Sequence, residues 1–174
     1  DTGDTVSEFS SFTDADGVVH VNTSIDTVVS SATFTVFNGL ENLILSGTAA
    51  INGSGNNFVN VITGNAAANR LYGGFDTLAD TLIGGGGDDT YVVGWGDFDA
   101  MVEAPGGGID TVESTGDWTL GAEIENLVSN ASFSVRLTGN GLANSIRASG
   151  GYDTLDGKAG FTVVGRNADG SPVY

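Results

Sequence analysis

Residues Leu82 to Tyr91 read Leu-Ile-Gly-Gly-Gly-Gly-Asp-Asp-Thr-Tyr, and no other stretch restricts the chain so tightly. The spacing fits the nonapeptide pattern G-G-x-G-x-D-x-U-x, in which each copy supplies one tight turn and one short strand of a parallel β-solenoid. A turn that folds back onto the next coil needs positive φ and close backbone approach, and glycine supplies both without strain. Asp89 then sets a hard carboxylate oxygen among the backbone carbonyls of the same turn, a donor set that suits Ca²⁺.

A regular beat surrounds this run. Apolar residues stand at Ile51, Ile62, Leu71, Leu82 and Tyr91, spaced 11, 9, 11 and 9 apart. Two positions before each of the last four stands an amide or an acid: Asn60, Asn69, Asp80 and Asp89. Two half-turns then make one coil of about 20 residues, with a short strand on each side. Glycine interrupts every window in which a helical apolar stripe could form. The expected fold is all-β, a right-handed parallel β-solenoid.

A longer repeat contains the shorter one. An ungapped shift of 84 residues lays Ile25-Asp26-Thr27-Val28 on Ile109-Asp110-Thr111-Val112 and Glu41-Asn42-Leu43 on Glu125-Asn126-Leu127. The same shift lays Gly55-Asn56 on Gly139-Asn140, Asn60 on Asn144 and Ile62 on Ile146. The chain therefore reads as one continuous solenoid of two units, residues 1–90 and 91–174. Taken as four coils each, with rungs about 4.8 Å apart, they make a rod roughly 40 Å long. The open ends of such a rod carry unpaired backbone groups and invite end-to-end association.

Composition narrows the partners. Five basic residues stand against 22 acidic ones, a net charge of −17. A phosphate backbone needs a stripe of Lys and Arg, so neither nucleic acid nor an anionic membrane surface is an expected partner. No apolar run approaches the length of a membrane span, so insertion is not expected either. An acidic excess of this size repels itself when compact, yet 40% of the residues are hydrophobic, enough for a core. Divalent cations that neutralise carboxylates in the folded state reconcile the two. Cysteine is absent, which removes disulfides and thiolate chemistry together.

The half-turns supply the candidate ligands. Leu82–Tyr91 holds Gly84, Gly85, Gly87 and Asp89 in the pattern positions. The half-turn before it has Gly73-Gly74, then an insertion containing Asp76 ahead of Asp80. Asn60 and Asn69 occupy the acid position in earlier half-turns, and Asp153 occupies it in the second unit, where Lys158 replaces a glycine. These motifs, with Ile62-Thr63-Gly64-Asn65 and Leu137-Thr138-Gly139-Asn140, resemble the RTX (repeats-in-toxin, hemolysin-type calcium-binding) family of secreted bacterial proteins. The spacers Ile109-Asp110-Thr111-Val112-Glu113-Ser114 and Glu41-Asn42-Leu43-Ile44-Leu45-Ser46-Gly47 resemble those of large RTX adhesins. The resemblance implies a β-roll with Ca²⁺ held between half-turns one coil apart, pairing Asn60 with Asp80 and Asn69 with Asp89. It also implies an extracellular or cell-surface location. A second account of the same residues needs no metal: Gly, Asp and Asn make turns, and stacked Asn side chains hydrogen-bond from rung to rung.

Nothing in the sequence calls for catalysis. His20 is the single histidine, no Gly-x-Ser-x-Gly elbow is present, and the four arginines are scattered. Asp14-Ala15-Asp16-Gly17 resembles half of an EF-hand loop, without the Glu that would complete it. The roles that remain are a spacer or stalk in a secreted protein and a surface-layer or filament subunit. A third is the C-terminal repeat module of a toxin or a polysaccharide-acting enzyme.

Overall fold

A computed structural model describes residues 11–13, 19–21, 25–74, 76–158 and 162–163. Asp14-Ala15-Asp16-Gly17 lies outside the described residues. The first two strands, β1 (Ser11–Thr13) and β2 (Val19–Val21), pair antiparallel with each other, His20 opposite Phe12. The sequence reading did not anticipate that pair.

From Thr27 onward short strands alternate with turns. The first are β3 (Thr27–Ser30), β4 (Phe34–Thr35), β5 (Asn42–Leu45), β6 (Gly53–Ser54), β7 (Val61–Thr63) and β8 (Arg70–Tyr72). Next come β9 (Thr81–Ile83), β10 (Thr90–Val93), β11 (Ala100–Val102), β12 (Thr111–Ser114) and β13 (Trp118–Thr119). The series ends with β14 (Asn126–Ser129), β15 (Arg136–Thr138), β16 (Ser145–Ala148), β17 (Thr154–Asp156) and β18 (Thr162–Val163). The even-numbered strands from β4 to β18 form one eight-stranded sheet. The odd-numbered ones form a five-stranded sheet, β3 to β11, and a three-stranded sheet, β13 to β17. Every pairing in these sheets is parallel. The protein is an all-β parallel solenoid of about 7 turns, its coils about 19 residues apart.

Side chains alternate in and out along each strand, as the pleat demands. Tyr91 and Val93 point inward from β10, Val112 and Ser114 from β12, Leu127 and Ser129 from β14. Parallel register stacks like on like. Leu71, Tyr91, Val112, Leu127 and Ile146 form one file, and Leu43, Ile62 and Leu82 form the facing one. None of these side chains reaches solvent. The core is thin: a Cβ added at Gly53 would sit 2.9 Å from Ile62 Cγ2.

The long repeat has a consequence that its sequence period hides. A shift of 84 residues carries β3 onto β12, β4 onto β13, β5 onto β14 and β8 onto β17. β3 and β5 belong to the five-stranded sheet, whereas β12 and β14 belong to the eight-stranded one. The unit spans an odd number of strands, β3 to β11, and so holds four and a half coils rather than four. Its second copy begins half a coil further round, with equivalent strands on opposite faces. Where the copies meet, β11 ends one sheet and β13 begins another.

Because each rung leans on its neighbours, a cavity in a file should be felt strongly. Leu71→Ala should cost about 2–5 kcal/mol in urea unfolding, while Val29→Ala, on the exposed face, should change stability by no more than about 0.5 kcal/mol.

Candidate metal centre

Turns that leave the eight-stranded sheet form one long edge of the solenoid, and turns that return to it form the other. Asn60, Asp80 and Asp99 lie on the leaving edge; Asn69, Asp89, Asp110, Glu125 and Asn144 lie on the returning edge. Each stands two residues before an inward apolar side chain, so the pleat holds it at the corner where one coil meets the next.

Asparagine closes such a corner unaided. Asn69 Oδ1 accepts the Asn65 N–H at 2.7 Å, and its Nδ2 donates to the Ile51 carbonyl one coil back at 2.7 Å. Asn60 and Asn144 repeat this, accepting from the Asn56 and Asn140 N–H groups and donating to the Leu40 and Ile124 carbonyls. Both ends of each amide are engaged.

A carboxylate in that position has no N–H to give. Asp80 and Asp89 each accept, through Oδ1, the N–H of the asparagine one coil back, Asn60 and Asn69, at 2.7 Å. Asp99 and Asp110 extend the two columns, accepting the Asp80 N–H at 3.1 Å and the Asp89 N–H at 2.8 Å. Asp89 Oδ2 is buried and has no hydrogen-bond partner.

That orphan oxygen faces company. Asp89, Glu103 and Asp110 each bring one carboxylate oxygen within 4.8 Å of the other two. Glu103 comes from the turn after β11; its Oε1 accepts the Tyr91 hydroxyl, and its Oε2 is buried without a partner. Gly84 makes the convergence feasible, since a Cβ there would collide with Glu103 Oε1, Asp89 Oδ2 and the Tyr91 hydroxyl. Gly85 and Gly87 bend the same turn at φ +99 and +95, which an L side chain resists. Three carboxylates with no nitrogen or sulfur donor make a hard, oxygen-only set, the chemistry that Ca²⁺ favours. The residues fit the ion that the sequence pattern suggests.

Electrostatics carries the same message. Burial pushes the Asp89 carboxyl up to about 7 against the opposing Asn69 N–H, and the charges of Glu103, Asp110 and Asp88 add to the rise. Burial likewise raises Glu103 and Asp110, each partly offset by its hydrogen bond, from Tyr91 and from the Asp89 N–H. A cation among them would repay the desolvation that ionisation costs.

The leaving edge holds a looser concentration. Asp80 Oδ2 and Asp99 Oδ2 both crowd the open face of Gly73, the latter 2.8 Å from where a Cβ would stand. Asp76 Oδ1 accepts the Leu78 N–H at 2.5 Å, and its Oδ2, beside Gly74, is buried without a partner. Burial is the main cause that lifts Asp99 to about 6. Among the described residues only Asp89, Glu103 and Asp110 converge as a triad.

The structure thus sorts the sequence candidates. Asp89, with Gly84, Gly85 and Gly87, builds the triad's turn; Asp76 and Asp80, with Gly73 and Gly74, build the looser cluster. Asn60 and Asn69 serve as hydrogen-bonded corners. Asp153 stands rungs away, accepting the Val135 N–H at 3.1 Å. Two triad members were not among the candidates. Asp110 obeys the beat, two residues before inward Val112, and extending that beat past Tyr91 finds it. Glu103 sits off the beat, and nothing in its sequence neighbourhood marks it.

The raised carboxyls predict a pH dependence. A folded-state value above the unfolded one makes the contribution complete below about pH 4 and lost as pH climbs through about 7. In a chelator, calorimetry should show the melting temperature falling across that window; with calcium in place of the protons, the fall should flatten. No family model matches this chain, and neither does any curated protein or solved structure, so its own residues and their geometry carry the functional reading.

Proposed function

We propose that this chain is a non-catalytic, extracellular structural module of an RTX-type secreted bacterial protein, a spacer or stalk stiffened by calcium. One observation carries the reading: the carboxylates of Asp89, Glu103 and Asp110 converge, and Asp89 Oδ2 is buried among them without a partner. Asp89 closes the first repeat unit, and Asp110 opens the second as the counterpart of Asp26. An ion held there fastens the two copies at the place where the solenoid turns its faces over. Extracellular calcium modules work with dissociation constants of about 10⁻⁴ to 10⁻³ M, a range in which the ion is bound outside the cell and released in a chelator. An ion that binds only the folded chain, at tenfold excess over its dissociation constant, adds about 1.4 kcal/mol per site. The net charge of −17 favours the same outcome, since every bound cation relieves self-repulsion.

A second reading, end-to-end stacking into an extracellular filament, draws on one feature. β3 is the last strand of its sheet among the described residues, and an open edge templates pairing with another chain. Light scattering that shows a ladder of oligomers would favour it.

Calorimetry in calcium and in EGTA tests the first reading. Asp89→Ala should lower the melting temperature more in calcium than in EGTA, where only the hydrogen bond from the Asn69 N–H is lost; an equal loss in both would remove the metal role. Asp89→Asn should raise stability in EGTA, because an amide suits this corner as it suits Asn69 and Asn144, and should abolish the response to calcium. Terbium offers a direct probe of the triad. Excited through the adjoining Tyr91, it should luminesce in the wild type, and Glu103→Gln should weaken its binding about tenfold, roughly 1.4 kcal/mol. Unchanged binding in that variant would take Glu103 out of the site.

A further inference from the structure

The aromatic residues of this solenoid are distributed unevenly over its surface. Phe37, Phe58, Trp95, Phe98, Phe133 and Tyr152 are between 50% and 77% exposed. Every one of them lies in a turn that leaves the eight-stranded sheet: after β4, β6, β10, β10, β14 and β16 in that order. Among the described residues, the turns that return to the sheet carry no aromatic side chain at all. With rungs about 4.8 Å apart, the stripe from Phe37 to Tyr152 runs about 29 Å along one edge. The short turn after β12 has no aromatic of its own, but Trp95 reaches over it: a Cβ at Gly116 would stand 2.7 Å from Trp95 Cδ1.

Beside Trp95 the stripe opens into a cleft of about 310 Å³, lined by Phe98, Asp99, Asp117, Trp118, Thr119 and Arg136 among others. It sits where β11 and β13 fail to pair and the repeat units meet. The Arg136 N–H holds Asp117 Oδ1 at 2.8 Å, fixing that carboxylate at the rim. The volume is at the small end of ligand sites, and the mixture of ring faces with a few convergent polar groups is typical of them.

We propose that this edge binds a neutral, extended polysaccharide, with the cleft at Phe98 and Trp118 as its anchoring subsite. Three features select that occupant. Exposed rings in a row are apolar platforms that a soluble monomer seldom leaves open, and a pyranose offers each of them an apolar C–H face. Carboxylates and a guanidinium stand between the rings, and sugar hydroxyls both donate to the first and accept from the second. The acidic side chains Asp76, Asp97, Asp99, Asp117 and Asp153 share the edge, so an anionic polymer, an anionic membrane or a second copy of this chain meets like charge there. An extended peptide that adds a strand needs an open backbone ladder, whereas this stripe is built on turns. The site requires no bound ion, and it extends the spacer reading to a stalk that also grips a glycan.

Affinity electrophoresis of the intact chain in calcium, against neutral gluco-, manno- and xylo-polysaccharides with alginate as the anionic control, tests the proposal. At least one neutral polymer should retard the wild type, and isothermal titration with the matching hexasaccharide should give a measurable dissociation constant. Trp95→Ala with Phe98→Ala should raise that constant tenfold or more at an unchanged melting temperature, and Ile44→Ala, within strand β5 and outside the stripe of turns, should leave it alone. Binding should persist in Asp89→Ala, which separates this result from the calcium reading. Retardation by alginate alone, by no polymer, or equally in the double variant would overturn the proposal. So would sedimentation showing a dimer of the wild type that the double variant loses, because the stripe would then be a contact between copies.

Discussion

One hydrogen bond recurs wherever an acid holds a corner of this molecule: its carboxylate oxygen accepts the N–H of the corner residue one coil back. Asn60 to Asp80 to Asp99 runs along one edge, and Asn69 to Asp89 to Asp110 along the other. It sets the register of successive rungs, and register decides that every second side chain stacks on its like. Leu71, Tyr91, Val112 and Leu127 make a core only because the corners hold them in one file. In a sheet whose strands are two to four residues long, the ladder alone specifies register weakly, and the corners supply what it lacks.

Whether a corner is an amide or an acid divides the solenoid into two kinds of rung. An amide both accepts and donates, so the Asn rungs are closed by the protein itself. An acid only accepts, and at Asp89 a buried oxygen is left over. Acid rungs gather on neighbouring coils from Asp80 to Asp110, where burial raises Asp80, Asp89, Asp99, Glu103 and Asp110 together. A charged group raised in this way is a stability cost until something cationic meets it. The acid rungs also straddle the seam between the repeat units, where β11 and β13 do not pair with each other. The weakest backbone connection and the strongest demand for a cation coincide.

The two edges differ in character for a related reason. The returning turns on either side of β10 bring Asp89, Glu103 and Asp110 inward, and among the described residues the returning turns carry no aromatic ring. Leaving turns carry the Asp76 insertion and project their rings outward. One edge is suited to a small ion and the other to an extended ligand, and the same coil presents both.

The sequence by itself determined the fold class and the coil length, because both rest on local rules: glycine where turns need it, an inward apolar residue in each half-turn, an acid or amide two places ahead of it at the corner. It determined Asp89 as a ligand candidate, and its beat, followed further, leads to Asp110. It could not decide which faces the repeats would share. The 84-residue period is visible in identities, but the half coil appears only when strands are counted, and strands of two residues such as Phe34–Thr35 leave almost no periodic trace. Nor could it find Glu103, which reaches the triad from 14 positions beyond Asp89 through the path of a whole half-turn. Partners that meet through space rather than at a fixed spacing are set by the winding of the chain, and only the tertiary structure records that.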